Sequence, residues 1–551
     1  MVDFSKEVMA YSLQNAIEFG KADKNKILPK LFKQGMKRED IPKVLPIVEE
    51  AVKEVNSMSK DELKKNYETL KKYVHKNEEK KEGLAELSKS AIKGKPVFRV
   101  APFPSGALHI GNAKTFLINS LYSEKYSGKT ILVMDDTIGS PEKPLNKDAY
   151  ELIEEGFKWL DVKYSRPIIY KSKRMKLYYK YAEKLIEKNK AYVCHCTIEE
   201  LRENRAKGVE CGCRHFPPGL QLARWKEMFN MVEGHSVLRI KTNMKHPNPA
   251  FRDRVLFKIS DRKHVLVKNK YRVWPTLEMS WAVDDHELGI THIIRGNDLM
   301  IETDMEKYIW DIFRWKHPQI NHTGLIRLDG VGAKISKSKA QKEVESGEFI
   351  GWDDPRTWSI QSLARRGILK ESIREFVKSM GLNKQDITVP IETLYSINRK
   401  LIDKDSDRYS FVPDSVEIKL DKTFHSKEIE VPIHPEKKET KLVKVSKIYI
   451  SKNDLEKYQG EEVRLLHLFN VKLKKKSNIT SVENKKIPKI NWVSEKVPAK
   501  ILMPNGTWVK GFAESGVKKL KVGSLIQFER FGFVRYDGRS KDTYKFWFAH
   551  K

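Results

Sequence analysis

The pattern of hydrophobic and polar positions changes along the chain and divides it into segments of different structure. In KVLPIVEEAVKEV, residues 43–55, the apolar Leu45, Val48, Val52 and Val55 recur at helical spacing. A run rich in lysine and glutamate follows, KKYVHKNEEKKEG. Residues 1–94 are therefore predicted to form a helical appendage that ends in a charged linker.

A different pattern begins at Pro96, where short apolar strands alternate with helices. The strand VFRVA leads into a turn rich in glycine and proline, and a helix follows in which Ala113, Leu117 and Leu121 repeat every four residues. The next strand, TILVM, ends at Asp135. Strand, helix and strand at this spacing predict an α/β domain with a parallel sheet.

The strand pattern is interrupted and then returns at HIIRG, residues 292–296, so we expect an insertion between two halves of one domain. Helices such as ESIREFVKSMGL come next, and beyond residue 410 apolar residues alternate with polar ones, as in SVEIKL and KLVKVSKIYI. That alternation predicts antiparallel β-barrels. The expected segments are 1–94, 95–190 (first half of the α/β domain), 191–270 (insertion), 271–345 (second half), 346–409 (helical) and 410–551 (all-β).

Charge and composition narrow the class of partner. The 551 residues carry 105 Lys+Arg against 74 Asp+Glu, a formal charge of +31 that favours a polyanion such as nucleic acid, although a lysine-rich solvated surface would have the same composition. No apolar run approaches the roughly 18 residues that span a bilayer. The first twenty residues do not have the pattern of a signal peptide, so a cytoplasmic protein without a membrane partner is expected.

The turn APFPSGALHIGNAK, residues 101–114, opens the first helix of the α/β domain. The first N–H groups of a helix have no intrahelical partner and favour phosphate, so a nucleotide could bind there. The stretch matches neither the P-loop nor the dinucleotide fingerprint. His109 would donate to a phosphate, while Pro104 and Gly106 would let the backbone approach the adenosine; the alternative is a histidine with a purely structural role.

A second loop, DGVGAKISKSKA at residues 329–340, combines glycine, lysine and serine. It suits a mobile arm that closes on phosphate, although by itself it is also compatible with an ordinary basic loop. Together, LHIGN and KISKS resemble the HIGH and KMSKS pair of class I aminoacyl-tRNA synthetases.

Further segments resemble the glutamyl and glutaminyl subfamily, most closely its archaeal glutamyl type. They are RVAPFPSGALHIGN, LVMDDT, VDDHELGITHIIRG, GWDDPRTWSIQSLARRGI and IQFERFGFVRYD, and the resemblance covers roughly residues 90–551. It implies a Rossmann catalytic domain, an inserted acceptor-stem domain, a helical stem-contact region and an all-β anticodon-binding domain. It also implies ATP with Mg²⁺, L-glutamate and glutamate-accepting tRNA as substrates, and the sequence leaves open whether glutamine-accepting tRNA is charged as well.

The resemblance assigns residues to the chemistry. His109 and Lys337, with Lys334 assisting, would stabilise the ATP phosphates while glutamate attacks the α-phosphate. Asn112 stands where the HIGH motif has its second histidine, a mild departure because asparagine can still donate a hydrogen bond. The other positions expected to contact substrate or ATP are Arg99, Pro102, Ser105, Gly106, Gly111, Asn112, Asp135, Arg295, Ile335, Ser336 and Ser338.

The amino-acid site is expected to depend on two arginines. Arg99 and Arg295 fall where the family places arginines on the substrate carboxylates, and the alternative for either is an ordinary ion pair. Asp135, at the end of a parallel strand, would accept from the substrate ammonium. Two residues depart from the subfamily: Leu277 stands in place of a tyrosine, so other groups must recognise the side chain, and Val133 stands in place of an arginine.

All four cysteines of the chain fall within twenty residues. Cys194, Cys196, Cys211 and Cys213 form two Cys-x-Cys pairs separated by fourteen residues, a spacing compatible with one tetrahedral zinc ion. His195 or His215 could replace a cysteine as ligand, and four reduced thiols packed as small apolar groups are the alternative to a metal site.

Two competing functions remain at this stage. A glutaminyl-tRNA synthetase shares the architecture, but Arg295 suits an anionic substrate better than an amide. A catalytically inactive, tRNA-binding paralogue would also share the fold, although His109, Lys334 and Lys337 are all present.

Overall fold

The structure is a computed structural model that describes residues 4–32, 36, 38–74, 84–87, 94–141, 143–330, 337–421 and 425–551, with the backbone alone at 38, 60, 337 and 338. The chain forms two compact units, Met1–Gly83 and Leu84–Lys551.

The first unit is helical, as the sequence predicts. One residue set needs correction: α3 buries Val44, Val48, Ala51 and Val55, whereas Leu45 and Val52 are only partly buried. The face that α3 buries is therefore shifted from the predicted one toward Val44 and Ala51, and the small Ala51 packs within it. Its helices are α1 (Ser5–Phe19), α2 (Lys24–Phe32), α3 (Ile41–Ser57) and α4 (Lys60–Leu70).

The second unit begins with the predicted parallel sheet, five strands in the order β3-β2-β1-β8-β9. The apolar run TILVM is buried throughout, as expected for a strand covered on both faces. Ala113, Leu117 and Leu121 form the buried face of α5. These elements are β1 (Val97–Val100), α5 (Ile110–Lys125), β2 (Lys129–Met134), α6 (Ala149–Trp159), β3 (Ser165–Tyr170), α7 (Met175–Glu187), β8 (His292–Gly296), α11 (Met300–Phe313) and β9 (Gln319–Thr323).

A separate antiparallel sheet of four strands, β4-β5-β6-β7, lies in the chain between β3 and β8. Its core includes Trp225, Phe257 and Trp274. The segment consists of β4 (Ala191–Cys194), α8 (Ile198–Lys207), α9 (Pro218–Met228), β5 (Val237–Ile240), β6 (Val255–Ile259), β7 (Val273–Pro275) and α10 (Leu277–Glu287), the last leading back to β8.

Helices predominate after β9. They are accompanied by one pair of short parallel strands, β10 with β11. The elements are β10 (Ile326–Asp329), α12 (Lys337–Glu345), α13 (Ile360–Arg366), α14 (Lys370–Met380), β11 (Ile387–Pro390) and α15 (Ile391–Ile402).

The remainder is almost entirely β, in a seven-stranded and a six-stranded barrel-like sheet and one hairpin. The sequence predicts antiparallel pairing, yet β22 lies parallel to β26, because period-two alternation does not specify the direction of a neighbouring strand. The elements are β12 (Arg408–Tyr409), β13 (Phe411–Pro413), β14 (Ser415–Leu420), β15 (Lys427–Pro432), β16 (Thr440–Val445), β17 (Ile448–Ser451), α16 (Lys452–Lys457), β18 (Glu462–Leu465), β19 (Asn470–Lys472), β20 (Lys476–Ser481), β21 (Lys489–Ile490), β22 (Lys496–Leu502), β23 (Trp508–Glu514), β24 (Leu525–Phe528), β25 (Gly532–Ser540) and β26 (Thr543–His550).

Among the described residues, none of the helices combines the length and the apolar composition that crossing a bilayer requires.

Candidate active site

His109 is the N-cap residue of α5, the position that the sequence predicts for it. Its Nδ1 accepts a hydrogen bond from the backbone N–H of Asn112 at 3.3 Å, and the Asn112 side chain accepts from the His109 N–H at 3.0 Å. A ring nitrogen that accepts a hydrogen bond carries no proton, so the imidazole proton is on Nε2. The capping contact therefore orients the ring with Nε2 as its donor.

The turn around His109 is fixed by a segment more than two hundred residues further along the chain. The Ile360 N–H donates to the Leu108 carbonyl at 2.8 Å, and the Ile110 N–H donates to the Trp358 carbonyl at 3.3 Å. Trp352 packs against Gly106 so closely that a Cβ there would lie 2.2 Å from the indole. Close packing therefore requires glycine at Gly106, whereas a side chain at Gly111 would meet the His109 ring at 3.2 Å and would need only a small shift of that ring.

A cleft of about 960 Å³ opens beside this turn. Four of the predicted site residues line it: Ser105, His109, Asn112 and Asp135. Pro102 lies behind them, where its carbonyl accepts from the Asp135 N–H at 3.0 Å. The cleft also has lining residues that the sequence did not single out, among them Arg205, Arg254, Lys258, Glu278, Trp281 and Glu302.

Asp135 has a buried counter-charge. The fully buried Lys171 places its Nζ 2.8 Å from Asp135 Oδ1 and donates to Ser280 Oγ at 3.0 Å. The carboxylate thus faces the cleft with one of its oxygens in an ion pair. No sequence motif marks Lys171, which directly follows β3.

Arg99 and Arg295 are both buried in ion pairs and do not line the cleft. Arg99 bonds Asp285 through Nε at 2.5 Å and Nη2 at 3.2 Å. Arg295 bonds Glu306 through both terminal nitrogens at 2.8 Å, and its Nε has no acceptor among the described residues. The sequence considered an ion pair as the alternative for each arginine, and the structure has one at each.

Trp281 connects these charges to the cleft. The Arg99 and Arg295 guanidinium groups lie 4.8 and 5.3 Å from its ring centroid, and Lys171 Nζ lies at 4.9 Å. Such cation–π contacts bring three cations behind the cleft wall while their counter-ions stay buried. Burial raises the pKa of Glu306, and the Arg295 guanidinium opposes that rise.

The loop at residues 329–340, for which the sequence predicts phosphate binding, lies partly outside the described residues. Lys334, Ile335 and Ser336 lie outside the described residues. Lys337 begins α12, which also contains Ser338. Their predicted roles stay predictions.

The four cysteines converge. The Sγ atoms of Cys194, Cys196, Cys211 and Cys213 all lie within 4.8 Å of one another. Tetrahedral Zn–S bonds of about 2.3 Å require sulfur atoms about this close together, so the cluster fits one metal ion. Neither His195 nor His215 belongs to it: His195 Nδ1 faces Arg224 at 2.8 Å, and His215 pairs with Glu210 at 3.6 Å.

Comparison with models of protein families shows which family the chain belongs to. The family model described as tRNA synthetases class I (E and Q), catalytic domain, matches residues 96–404. Two models for the anti-codon binding domain of the same family match residues 406–487 and 489–537. The chain is a class I tRNA synthetase of the E and Q family.

Relatives of this synthetase align with it along its whole length. The Glutamate--tRNA ligase of Pyrococcus abyssi is 41% identical and that of Pyrococcus furiosus 39% identical, each over 100% of both chains. The one from Methanocaldococcus jannaschii is 37% identical over 99% of this chain and 100% of its own. The sequence resemblance begins near residue 90, whereas these alignments also include the helical first unit.

Proposed function

We propose that this synthetase is a glutamate–tRNA ligase, which activates L-glutamate with ATP and transfers it to the 3′ end of tRNA. The observation that carries the proposal is the full-length relationship to ligases of that name, together with His109 capping a helix at the edge of the cleft. The relatives described above, which align over nearly the whole of both chains, are named for glutamate, and this favours the glutamate ligase over the glutaminyl alternative.

In the first step the glutamate α-carboxylate attacks the α-phosphate of ATP, which enters with its Mg²⁺. The attacking carboxylate is already ionised near neutral pH, so no general base is needed. His109 Nε2 donates to the phosphate oxygens as charge moves toward pyrophosphate. Ser105, Gly106 and Gly111 shape the turn. The family resemblance assigns Lys334 and Lys337 to the ATP phosphates, with Ile335, Ser336 and Ser338 as further contacts from the same loop.

The amino acid is held by charges beside the cleft. Asp135 retains an oxygen outside its Lys171 pair, and we assign it to the substrate ammonium. Arg99 lies behind the cleft wall and uses two nitrogens for Asp285, so its Nη1, which is outside that pair, would bind a substrate carboxylate only once the wall gives access to it. Both terminal nitrogens of Arg295 bond Glu306, so Nε, which has no acceptor among the described residues, would be its donor to a substrate carboxylate.

The transfer step needs tRNA to reach the same cleft. Arg205, Arg254 and Lys258 line the cleft from the segment of the four-stranded sheet. Arg254 is held by Glu278 and, at 2.8 Å, by Glu302. We assign residues 191–270 to binding the acceptor stem of the tRNA and the β-rich residues 410–551 to binding its anticodon. The formal charge of +31 on the whole chain favours contacts with the phosphate backbone of the tRNA.

The cysteine cluster is assigned to structural zinc, held by Cys194, Cys196, Cys211 and Cys213. The ion would supply a rigid crosslink between the end of β4 and the loop after α8. Purified protein should carry about one zinc per chain. Changing Cys194 and Cys196 together to serine should abolish zinc binding. Wild-type protein that remains free of metal after it has been supplied with zinc would contradict the assignment.

Aminoacylation tests the proposed activity. Protein, ATP and unfractionated tRNA are incubated with radiolabelled glutamate, and acid-precipitable counts that mild alkali releases measure the ester. His109→Ala serves as the control for the active site. Failure to charge any tRNA with glutamate would favour the inactive, tRNA-binding alternative.

A further inference from the structure

A buried arginine lies against the cysteine cluster. Arg239, on β5, is 1% exposed, and its Nη1 lies 3.7 Å from both Cys194 Sγ and Cys211 Sγ. Its Nε donates to the Asp253 carbonyl at 2.8 Å, whereas Nη2 has no acceptor among the described residues. The guanidinium is therefore oriented toward sulfur rather than toward a carboxylate.

Arg239 has no carboxylate partner within the described part of the chain. The nearby Asp253 carboxylate is committed to Arg214, whose Nη1 lies 2.6 and 2.7 Å from its two oxygens. Asp253 also accepts from Tyr192 Oη at 2.8 Å. An unpaired buried guanidinium is strongly unfavourable, and the electron-rich groups that face this one are the two sulfur atoms and the Tyr192 ring, whose centroid lies 5.5 Å away.

A second arginine approaches the other side of the cluster. Arg224, on α9, places Nη2 3.7 Å from Cys213 Sγ and 2.8 Å from His195 Nδ1. The two guanidinium groups together reach three of the four sulfur atoms. They come from different elements, so the arrangement is not a consequence of one helix or strand passing nearby.

The charge of the two arginines matches the charge that the proposed metal site would carry. Four thiolates around a divalent ion leave two negative charges, and burying them without compensation would be costly. Two arginines supply two positive charges. We propose that Arg239 and Arg224 are the charge-balancing partners of a tetrathiolate metal site and donate to its sulfur atoms; this rests on the zinc binding proposed above.

The arrangement has a chemical consequence. A guanidinium that donates to a metal-bound sulfur offsets the negative charge of the site, so removing it should weaken the binding of the metal. Partners in this outer position typically change metal affinity by about 10–100-fold. Arg239, which is buried and reaches two sulfur atoms, should contribute more than Arg224, which is partly exposed and reaches one.

The test measures zinc release from the full-length, zinc-loaded protein into an excess of the chelating dye 4-(2-pyridylazo)resorcinol. Arg239→Met should speed release about 10–100-fold, Arg239→Lys less, and Arg224→Met by a smaller factor. Arg366→Met is the matched control: Arg366 is also wholly buried, bonds the backbone carbonyls of Phe548 and Ala549, and has an Nη1 for which the described part of the chain offers no acceptor. It should leave zinc release unchanged.

The outcomes separate the two proposals. If wild-type protein takes up no zinc, the metal assignment fails and the role of the arginines fails with it. If wild-type protein holds zinc but Arg239→Met and Arg224→Met release it at the wild-type rate, the metal assignment stands and the role of the arginines is refuted. Should Arg239→Met not fold, Arg239→Lys and Arg224→Met decide in its place, since both retain a long polar or apolar chain in the same space.

Discussion

His109 caps α5 in this structure, and its proposed role in catalysis can be separated from that structural role by mutation. Nδ1 accepts from the Asn112 N–H and caps α5, while Nε2 is the assigned donor to phosphate. His109→Ala removes both. His109→Asn keeps a good N-cap residue, but its side chain ends one bond short of the position of Nε2.

The two variants should therefore differ in stability and agree in rate. Losing an N-cap costs about 1 kcal/mol, so His109→Ala should melt measurably below wild type and His109→Asn close to it. Losing one transition-state donor costs roughly 10²–10³ in rate, or about 3–4 kcal/mol, and both variants should show it. The rate loss exceeds the stability loss because the cap is exchanged for water, whereas the phosphate contact strengthens as the reaction proceeds.

The assay is ATP–pyrophosphate exchange with tRNA present, alongside thermal denaturation and tRNA binding. Both variants should bind tRNA normally. Near-wild-type exchange by His109→Asn would refute the catalytic role and leave only the cap. A stability loss in His109→Asn equal to that in His109→Ala would instead refute the capping role.

Three other predictions concern charge. The tRNA dissociation constant should rise steeply and log-linearly with salt, because basic side chains release counterions from phosphate; a flat response would exclude nucleic acid as the reason for the +31 charge. Arg295→Gln should lose the preference for glutamate over glutamine and destabilise the fold by about 3–5 kcal/mol, since Glu306 is left unpaired. The double variant Arg295→Gln with Glu306→Gln should recover thermal stability but not the preference for glutamate. Recovery of that preference would argue that Arg295 only pairs with Glu306. Burial lowers the pKa of His550 from 6.5 to about 4, so its contribution to stability is complete above pH 6.5 and is lost as the pH falls toward 4. Across this pH range the free energy of unfolding should fall by about 3 kcal/mol on account of His550. The free energy of unfolding of His550→Gln, measured by urea denaturation, should therefore depend less on pH between 6.5 and 4 than that of wild type. An unchanged pH dependence would contradict this role of His550.

The predictions that the structure confirms rest on patterns within single stretches of the sequence. The continuous apolar run of β2 and the i, i+4, i+8 repeat of α5 can be recognised within single elements, and so can the Cys-x-Cys pairs. The position of His109 at a helix start also follows from its own turn. These features depend on neighbours in the chain.

Partners brought together from distant parts of the chain were missed. Asp285 lies 186 residues from Arg99, and Ile360, whose N–H bonds the Leu108 carbonyl, is separated from it by the whole inserted segment. Lys171 has no distinguishing sequence context. For the same reason the sequence could name two arginines without specifying whether a substrate or a protein carboxylate faces each one.

The central claim is that the cleft selects glutamate, and pyrophosphate exchange with tRNA bound tests it most directly. Glutamate and glutamine differ only in a terminal carboxylate against an amide, and the proposed contact of an arginine with that end would favour the anion. We predict exchange supported by glutamate with kcat/KM at least about 10²-fold above that for glutamine. Exchange supported equally or better by glutamine would contradict the account.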